Sequence, residues 1–312
     1  MSGRAQSRPN YEEMNFNLDN ITRENVKGLS PYSSARDEYV SDGSTMVFLD
    51  ANENPFENGV NRYPDPQQRG LKAILAKQKG IKEENILLGN GSDEVLDLLF
   101  RAFCEPKEDN IITLPPTYGM YKVLSGINMV ENREVLLTHA FQPNVSVIKE
   151  RIDDNTKLLL CSPNNPTGNS FSTRSIENLL KSFKGIVVID EAYIDFSPEA
   201  SWTSKLSEYP NLIVTQTLSK AYGMAGIRLG ICIASAEIIA VINKIKPPYN
   251  VILAKVDDAT KRYNQLLSKG IVVRNRTSQP LCENTLRFTV GTSKENNSVI
   301  TALKALSKEY GK

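Results

Sequence analysis

The stretch Leu212-Ile-Val-Thr-Gln-Thr217-Leu-Ser-Lys220-Ala-Tyr-Gly-Met-Ala-Gly-Ile-Arg228-Leu-Gly-Ile-Cys-Ile233 decides how the rest of the chain is read. Leu212 to Thr215 and Leu229 to Ile233 are short, apolar runs of the kind that form buried strands rather than surface helices. Between them lies a loop, broken by Gly223 and Gly226, that carries two hydroxyls (Thr217 and Ser219), an amine (Lys220) and a guanidinium (Arg228). Hydroxyls and an arginine fork suit a phosphate, and an amine beside it can attack a carbonyl. A solvated basic loop is the plain alternative, and the apolar residues on both sides argue against it.

Working outward, short apolar runs alternate with amphipathic segments along most of the chain. Strands are expected at Ile86-Leu-Leu, Ile111-Ile-Thr-Leu, Leu158-Leu-Leu-Cys and Ile186-Val-Val-Ile. Helices are expected over 92–103, 118–125, 173–183 and 236–245, the last stopped by Pro247-Pro248. This alternation predicts an α/β fold with a largely parallel sheet flanked by helices. Beyond Pro248 the pattern becomes a strand (251–256), a helix to Leu267, strands at 271–274 and 285–290, and a final helix, a block too small to hold a generous core alone. The expectation is a large domain over 56–247 and a small α+β domain made of 1–55 with 248–312.

Composition narrows the partners. Among 312 residues, 37 Lys and Arg nearly cancel 36 Asp and Glu, so no net field draws the chain to nucleic acid or an acidic membrane. The longest oily stretch, near Ile231 to Ile242, is interrupted by Glu237, and the polar start has no signal-peptide core. A soluble protein is expected. The four cysteines, Cys104, Cys161, Cys232 and Cys282, are far apart and read as free thiols in a reducing compartment. With His139 as the single histidine, placed in a polar stretch, no His-rich metal site is expected.

In open parallel sheets ligands gather at the carboxyl ends of the strands, so the residues that follow each run carry the chemistry. After Ile86-Leu-Leu comes Gly89-Asn-Gly-Ser92-Asp93-Glu94, which reads equally as a capped turn or as a helix start whose N–H groups cradle a phosphate. Glu94 stands where a dinucleotide fingerprint needs its third glycine, which removes that reading. Following Leu158-Leu-Leu comes Cys161-Ser-Pro-Asn-Asn165-Pro-Thr-Gly, where a cis Asn165–Pro166 bond would aim an amide into a site. Asp190-Glu-Ala-Tyr193 follows Ile186-Val-Val-Ile and puts a carboxylate at the floor, where it needs a positive partner.

Taken in order, Ser162-Pro-Asn-Asn-Pro-Thr-Gly, Asp190-Glu-Ala-Tyr and Thr217-Leu-Ser-Lys…Gly-Ile-Arg228 resemble the fold-type-I, class I/II pyridoxal-phosphate aminotransferases. Leu49-Asp-Ala-Asn-Glu-Asn-Pro, Arg62-Tyr-Pro-Asp-Pro, Pro115-Pro-Thr-Tyr-Gly-Met-Tyr and Leu286-Arg-Phe-Thr-Val-Gly-Thr narrow the likeness to the histidinol-phosphate aminotransferase family. The resemblance implies pyridoxal 5'-phosphate carried by Lys220, with Asp190 at the pyridine nitrogen, Tyr193 and Asn165 at the phenolic oxygen and Tyr118 on the ring face. It implies a phosphate held by Ser92, Asp93, Thr217, Ser219 and Arg228, and a homodimer in which Tyr63 completes the neighbouring subunit's site. Arg287, Arg274, Tyr32 and Asn165 match substrate-binding positions for L-histidinol phosphate and for 2-oxoglutarate or glutamate, and the location implied is cytoplasmic.

One departure stands out. Lys246-Pro-Pro-Tyr-Asn-Val251 is followed at once by Ile252-Leu-Ala, where relatives carry several dozen mostly helical residues, so the small domain is expected to lack a segment after Val251. The first ten residues have no family counterpart. Rival readings are a threonine-phosphate decarboxylase or an aromatic aminotransferase of the same fold, and a truncated, catalytically impaired form.

Overall fold

Each apolar run expected to form a strand between residues 86 and 233 does so, to within two residues, in the computed structural model. Described are residues 16–31, 46–51, 53–56, 62–63, 65–246, 254–255, 258–275, 277–278, 284–287 and 293–308. In chain order the strands are β1 (Val47–Phe48), β2 (Ile86–Asn90), β3 (Asn110–Thr113), β4 (Glu131–Glu134), β5 (Thr156–Cys161), β6 (Val187–Asp190), β7 (Leu212–Thr217), β8 (Leu229–Ile233), β9 (Ala254–Lys255), β10 (Ile271–Val272), β11 (Arg274–Asn275) and β12 (Thr285–Arg287). The chain divides into two units, Met1–Pro31 with Gly70–Lys246 and Tyr32–Arg69 with Pro247–Lys312.

The first unit holds a seven-stranded sheet in the order β2-β8-β7-β6-β5-β3-β4. Strands β4, β3, β5, β6 and β7 run parallel, and β8 runs antiparallel to both β7 and β2. The carboxyl ends of β2, β5, β6 and β7 therefore share one edge with the start of β8. Successive side chains of a strand point to opposite faces, and both faces here are covered. Leu88, Ile112, Val187, Ile189, Val214 and Ile231 pack one way against helices Arg69–Lys79, Val145–Arg151 and Thr173–Ser182. Leu87, Ile111, Val188, Ile213 and Cys232 pack the other way against Ser92–Phe103, Met120–Ile127 and Ala236–Asn243. Truncating a residue as buried as Leu96 to Ala would cost about 2–5 kcal/mol.

Besides short helical turns, two helices and a strand of this unit lay beyond the sequence reading. Helices Arg69–Lys79 and Val145–Arg151 bury thin stripes such as Leu75 with Ala76, and Ile148 alone. Strand β4 reads Glu-Asn-Arg-Glu, a charged edge with no apolar run to betray it. The helix placed at 118–125 starts later, at Met120, leaving Tyr118 on the loop before it.

Residues 16–31 belong with this unit, not with the small domain to which the sequence grouping gave 1–55. The reason is local: Phe16, Leu18 and Ile21 pack on its second core, and Arg23 pairs with Glu105 at 2.9 Å while its N–H donates to the Ala102 carbonyl at 3.1 Å. Residues 56–69, grouped with the large domain from sequence, fall in the second unit.

The second unit has its own core of Leu49, Ala259, Leu266, Ile271, Val273, Leu286, Val299 and Ala302. Strand β1 pairs in parallel with β10, and β11, β12 and β9 form an antiparallel sheet. The single strand expected over 271–274 is split at Val273, because Ile271–Val272 pairs with β1 while Arg274–Asn275 pairs with β12. Of the strands expected over 251–256 and 285–290, 254–255 and 285–287 are strand; 251–253, 256 and 288–290 lie outside the described residues, as does Pro247-Pro248.

Candidate active site

The edge where β2, β5, β6 and β7 end and β8 begins surrounds a cavity of about 150 Å³ lined by Ser92, Asp93, Tyr118, Asn165, Asp190, Tyr193, Thr217, Ser219, Lys220 and Arg228. These ten residues are the sequence candidates that fall in the first unit, and the fold brings them together. Gly91, Cys161, Ala192 and Ala225 complete the lining.

At one end is a cradle for an anion. Gly91 precedes helix Ser92–Phe103 and has no side chain to cap it, so the first N–H groups, with the positive end of the helix dipole, face the cavity. Thr217 lies opposite, its hydroxyl 3.0 Å from both the Leu229 carbonyl and the Ser219 hydroxyl. Arg228, in the left-handed region at φ 54°, directs its guanidinium to the same turn, with one nitrogen 3.5 Å from the Asn90 carbonyl. Two glycines make this approach feasible. A Cβ on Gly91, itself at φ 81°, would lie 2.4 Å from Arg228 Nη2, and one on Gly230 would lie 2.2 Å from the Gly91 carbonyl carbon.

The cavity is also lined by Asp190, buried, with Oδ2 accepting from the Tyr121 hydroxyl at 2.8 Å and Oδ1 from the Thr215 hydroxyl at 3.0 Å and the Ala192 N–H at 3.2 Å. Burial pushes its carboxyl above the ordinary carboxylate range, against the pull of those three donors. Such a group gains most from a cation arriving in the cavity. Tyr118 donates to Asp93 at 3.1 Å, and burial with the Asp93 charge pushes its phenol up to about 12, so it stays neutral. The Asn165 amide lies 3.5 Å from the Tyr193 hydroxyl, its bond to Pro166 is cis as expected, and Lys220 Nζ sits 5.5 Å from the centre of the Tyr193 ring.

Tyr121 and Thr215 were missed from sequence. Neither stands out by residue type: Tyr121 lies in the first turn of the helix that Tyr118 precedes and reads as core, and Thr215 becomes the partner of Asp190 only through the register of β6 and β7. The remaining candidates are in the second unit or outside the described residues. Arg274 is buried on β11, and its backbone is the direct cross-strand partner of Arg287 on β12. Tyr63 is half-exposed, its N–H donating to Glu53 at 2.5 Å beside an Arg62 that pairs with Glu53 at 3.1 Å and Glu295 at 3.0 Å. Tyr32 and Cys282 lie outside the described residues. Cys104, Cys161 and Cys232 are buried free thiols, and His139 is exposed in a turn. No helix of the described residues is long and apolar enough to cross a membrane.

An amine, a phosphate cradle and a buried carboxylate lining one cavity suit the exchange of amino groups with carbonyls, and comparison with known proteins agrees. The chain belongs to the aminotransferase class I and II family, whose model matches residues 47–256. It is 60% identical to the histidinol-phosphate aminotransferase of Flavobacterium johnsoniae, over 94% of this chain and 99% of that one. Among solved structures, the fold matches the histidinol-phosphate aminotransferase of Clostridium acetobutylicum with a TM-score of 0.56 at 22% identity, over 85% of this chain and all of that one. It matches the Sinorhizobium meliloti enzyme, solved with pyridoxal 5'-phosphate, with a TM-score of 0.52 at 18% identity, over 98% of this chain and all of that one.

Pyridoxal 5'-phosphate is the cofactor of this family, and the cavity fits it: the glycine-lined cradle suits the phosphate, and the buried carboxylate of Asp190 suits the ring nitrogen. The match to the Flavobacterium relative spans 346 aligned positions while this chain has 312 residues, so at least 34 positions of that relative have no counterpart here.

Proposed function

We propose that this chain is a histidinol-phosphate transaminase, converting L-histidinol phosphate and 2-oxoglutarate to imidazole-acetol phosphate and L-glutamate in L-histidine biosynthesis, as a cytoplasmic homodimer. The observation that carries the reading is high identity over nearly the whole chain to a relative of that name, joined to a cavity lined by the ten candidate residues of the first unit.

When bound, pyridoxal 5'-phosphate supplies an electron-accepting ring conjugated to the reacting amine. The chain's residues do the rest. Lys220 carries the cofactor and then moves a proton to and from the substrate carbon. Asp190 would hold a proton at the ring nitrogen, Asn165 and Tyr193 would donate to the phenolic oxygen, and Tyr118 would cover the ring. Ser92, Asp93, Thr217, Ser219 and Arg228 hold the phosphate. Tyr63 reaches the partner subunit's site, which its exposure permits. Arg274 and Arg287, with Tyr32 and Asn165, bind substrate: a guanidinium fork accepts the phosphate of one substrate or the carboxylate of the other, and their cross-strand pairing puts the two arginine positions on one face of the sheet.

The test is glutamate formation from L-histidinol phosphate and 2-oxoglutarate by the reconstituted protein, with turnover expected on the order of 1–100 per second and none from Lys220→Ala. Borohydride should fix a pyridoxyl group on Lys220. Carbon dioxide release from L-threonine O-phosphate, or faster turnover of aromatic amino acids, would replace the reading with one of its rivals. Cofactor fixed at Lys220 without turnover of any substrate would point to the truncated, catalytically impaired form.

A further inference from the structure

Asp190 sits among more donors than a solvent-facing carboxylate needs, and one of them comes from a residue with no other evident purpose. Tyr121 is 1% exposed, on helix Met120–Ile127, with its ring in the core and its hydroxyl 2.8 Å from Asp190 Oδ2. A buried phenol in an apolar core is costly unless its O–H finds an acceptor, and here the acceptor is the residue that faces the ring nitrogen. Thr215, fully buried on β7, spends its hydroxyl on Oδ1. Tyr121 also packs edge-on against Tyr118, with ring centres 5.6 Å apart at 89°, so one side chain touches both the nitrogen's partner and the stacking ring.

We propose that Tyr121, with Thr215, is a positioning residue of the reaction: the two hydroxyls fix Asp190 in place and oppose the gain of a proton by its carboxylate, so that the proton it shares with the cofactor's ring nitrogen stays on the nitrogen. A carboxylate that already accepts several hydrogen bonds competes poorly for a further proton. The other groups facing Asp190 are the Ala192 N–H, which also donates, the Asp93 carboxylate, whose charge makes Asp190 more basic, and the Cys161 thiol near the Tyr121 hydroxyl. Removing the Tyr121 hydroxyl leaves Asp93 and burial less opposed, and the shared proton moves toward Asp190.

The inference rests on the assignment of Asp190 to the ring nitrogen, and the experiment separates the two. Tyr121→Phe, Thr215→Val and Asp190→Ala are each reconstituted with pyridoxal 5'-phosphate labelled with nitrogen-15 in the ring, and the ring-nitrogen chemical shift is followed against pH. Tyr121→Phe is expected to move the shift part of the way toward the unprotonated value and Asp190→Ala the whole way. In Tyr121→Phe, kcat should fall roughly tenfold while the KM for the amino donor stays within about twofold, since a bond to a charged group is lost and no substrate contact is touched. Thr215→Val, which retains the side-chain shape, should act in the same direction and serves if Tyr121→Phe fails to fold. A ring-nitrogen shift unchanged in both hydroxyl variants but moved in Asp190→Ala overturns the inference. A shift unchanged in Asp190→Ala overturns the assignment beneath it.

Discussion

Gly91 and Gly230 face each other where β2 hands over to its helix, and the closeness of Arg228 depends on both lacking a Cβ. Gly91→Ala forces an L side chain into a left-handed conformation, at about 1–2 kcal/mol, and pushes the Arg228 guanidinium off the cradle. The expected outcome is a folded protein whose cofactor affinity, titrated by absorbance, falls at least about tenfold. Gly230→Ala would strike backbone instead of a flexible side chain and should destabilise the fold as well. At this scale the sequence was most legible where chemistry is written in residue type. Asp190 and Lys220 announce themselves by coming after apolar runs, and Arg228 by leading into one. Tyr121 does not, because its role is fixed by a contact with a residue 69 positions away, and its local setting reads as ordinary core. Arg274 was read from the family likeness alone, and its pairing with Arg287 needed the register of β11 and β12.

Strands of this sheet were found from sequence where their residues are apolar and buried, the edge strand β2 included, and missed at β4, whose edge is charged. β4 is held by its neighbours, and Asp153 is the knot: its carboxylate accepts from Asn110 on β3 at 2.9 Å, Thr156 on β5 at 2.9 Å, the Asn155 N–H at 3.0 Å and Arg133 on β4 at 2.6 Å. Burial works against its charge, but the bonds from Asn110, Arg133, Thr156 and Asn155 outweigh it and hold the carboxyl well below the ordinary carboxylate range. A lowered folded value means stability that is present above the ordinary carboxylate value and lost as pH falls through the folded one. Asp153→Ala should therefore lower the melting temperature near neutral pH by about 3 °C, with the difference from the parent shrinking below about pH 4. A difference that does not change with pH would mean that the neutral contacts of Asp153, not its charge, hold the edge. Helix limits were legible where a cap marks them, as with Ser172, whose hydroxyl accepts from the Ser175 N–H, and blurred at Tyr118, where a turn precedes the helix without a capping side chain.

For the whole molecule, the proposed sharing of sites between subunits is open to a mixing test. Lys220→Ala and Tyr63→Ala chains, each inactive alone, should recover up to about one quarter of parental specific activity per total site once subunits exchange, because random pairing gives half of the dimers as hybrids with one intact site each. No recovery after exchange verified by mass would count against sharing. The abrupt join after Val251 leads to the expectation of a missing segment, and the aligned length of the Flavobacterium relative shows positions without a counterpart here but does not place them; the grouping of residues 16–31 with the first unit could not be foreseen, since their short apolar stripe has meaning only once helix Ser92–Phe103 is there to be covered. The order of the sheet has a further consequence. β2 is bonded to β8 alone in that sheet, with Ile86 opposite Ile233, so the strand made first waits for the strand made last. A ribosome delivers β2 early, and until Leu229 to Ile233 emerge its backbone groups must be met by water or by a chaperone. The residue that leads β8 in is Arg228, so completion of the sheet is also the moment the phosphate cradle closes. During its own synthesis the chain thus cannot load its cofactor properly until the large unit is nearly finished.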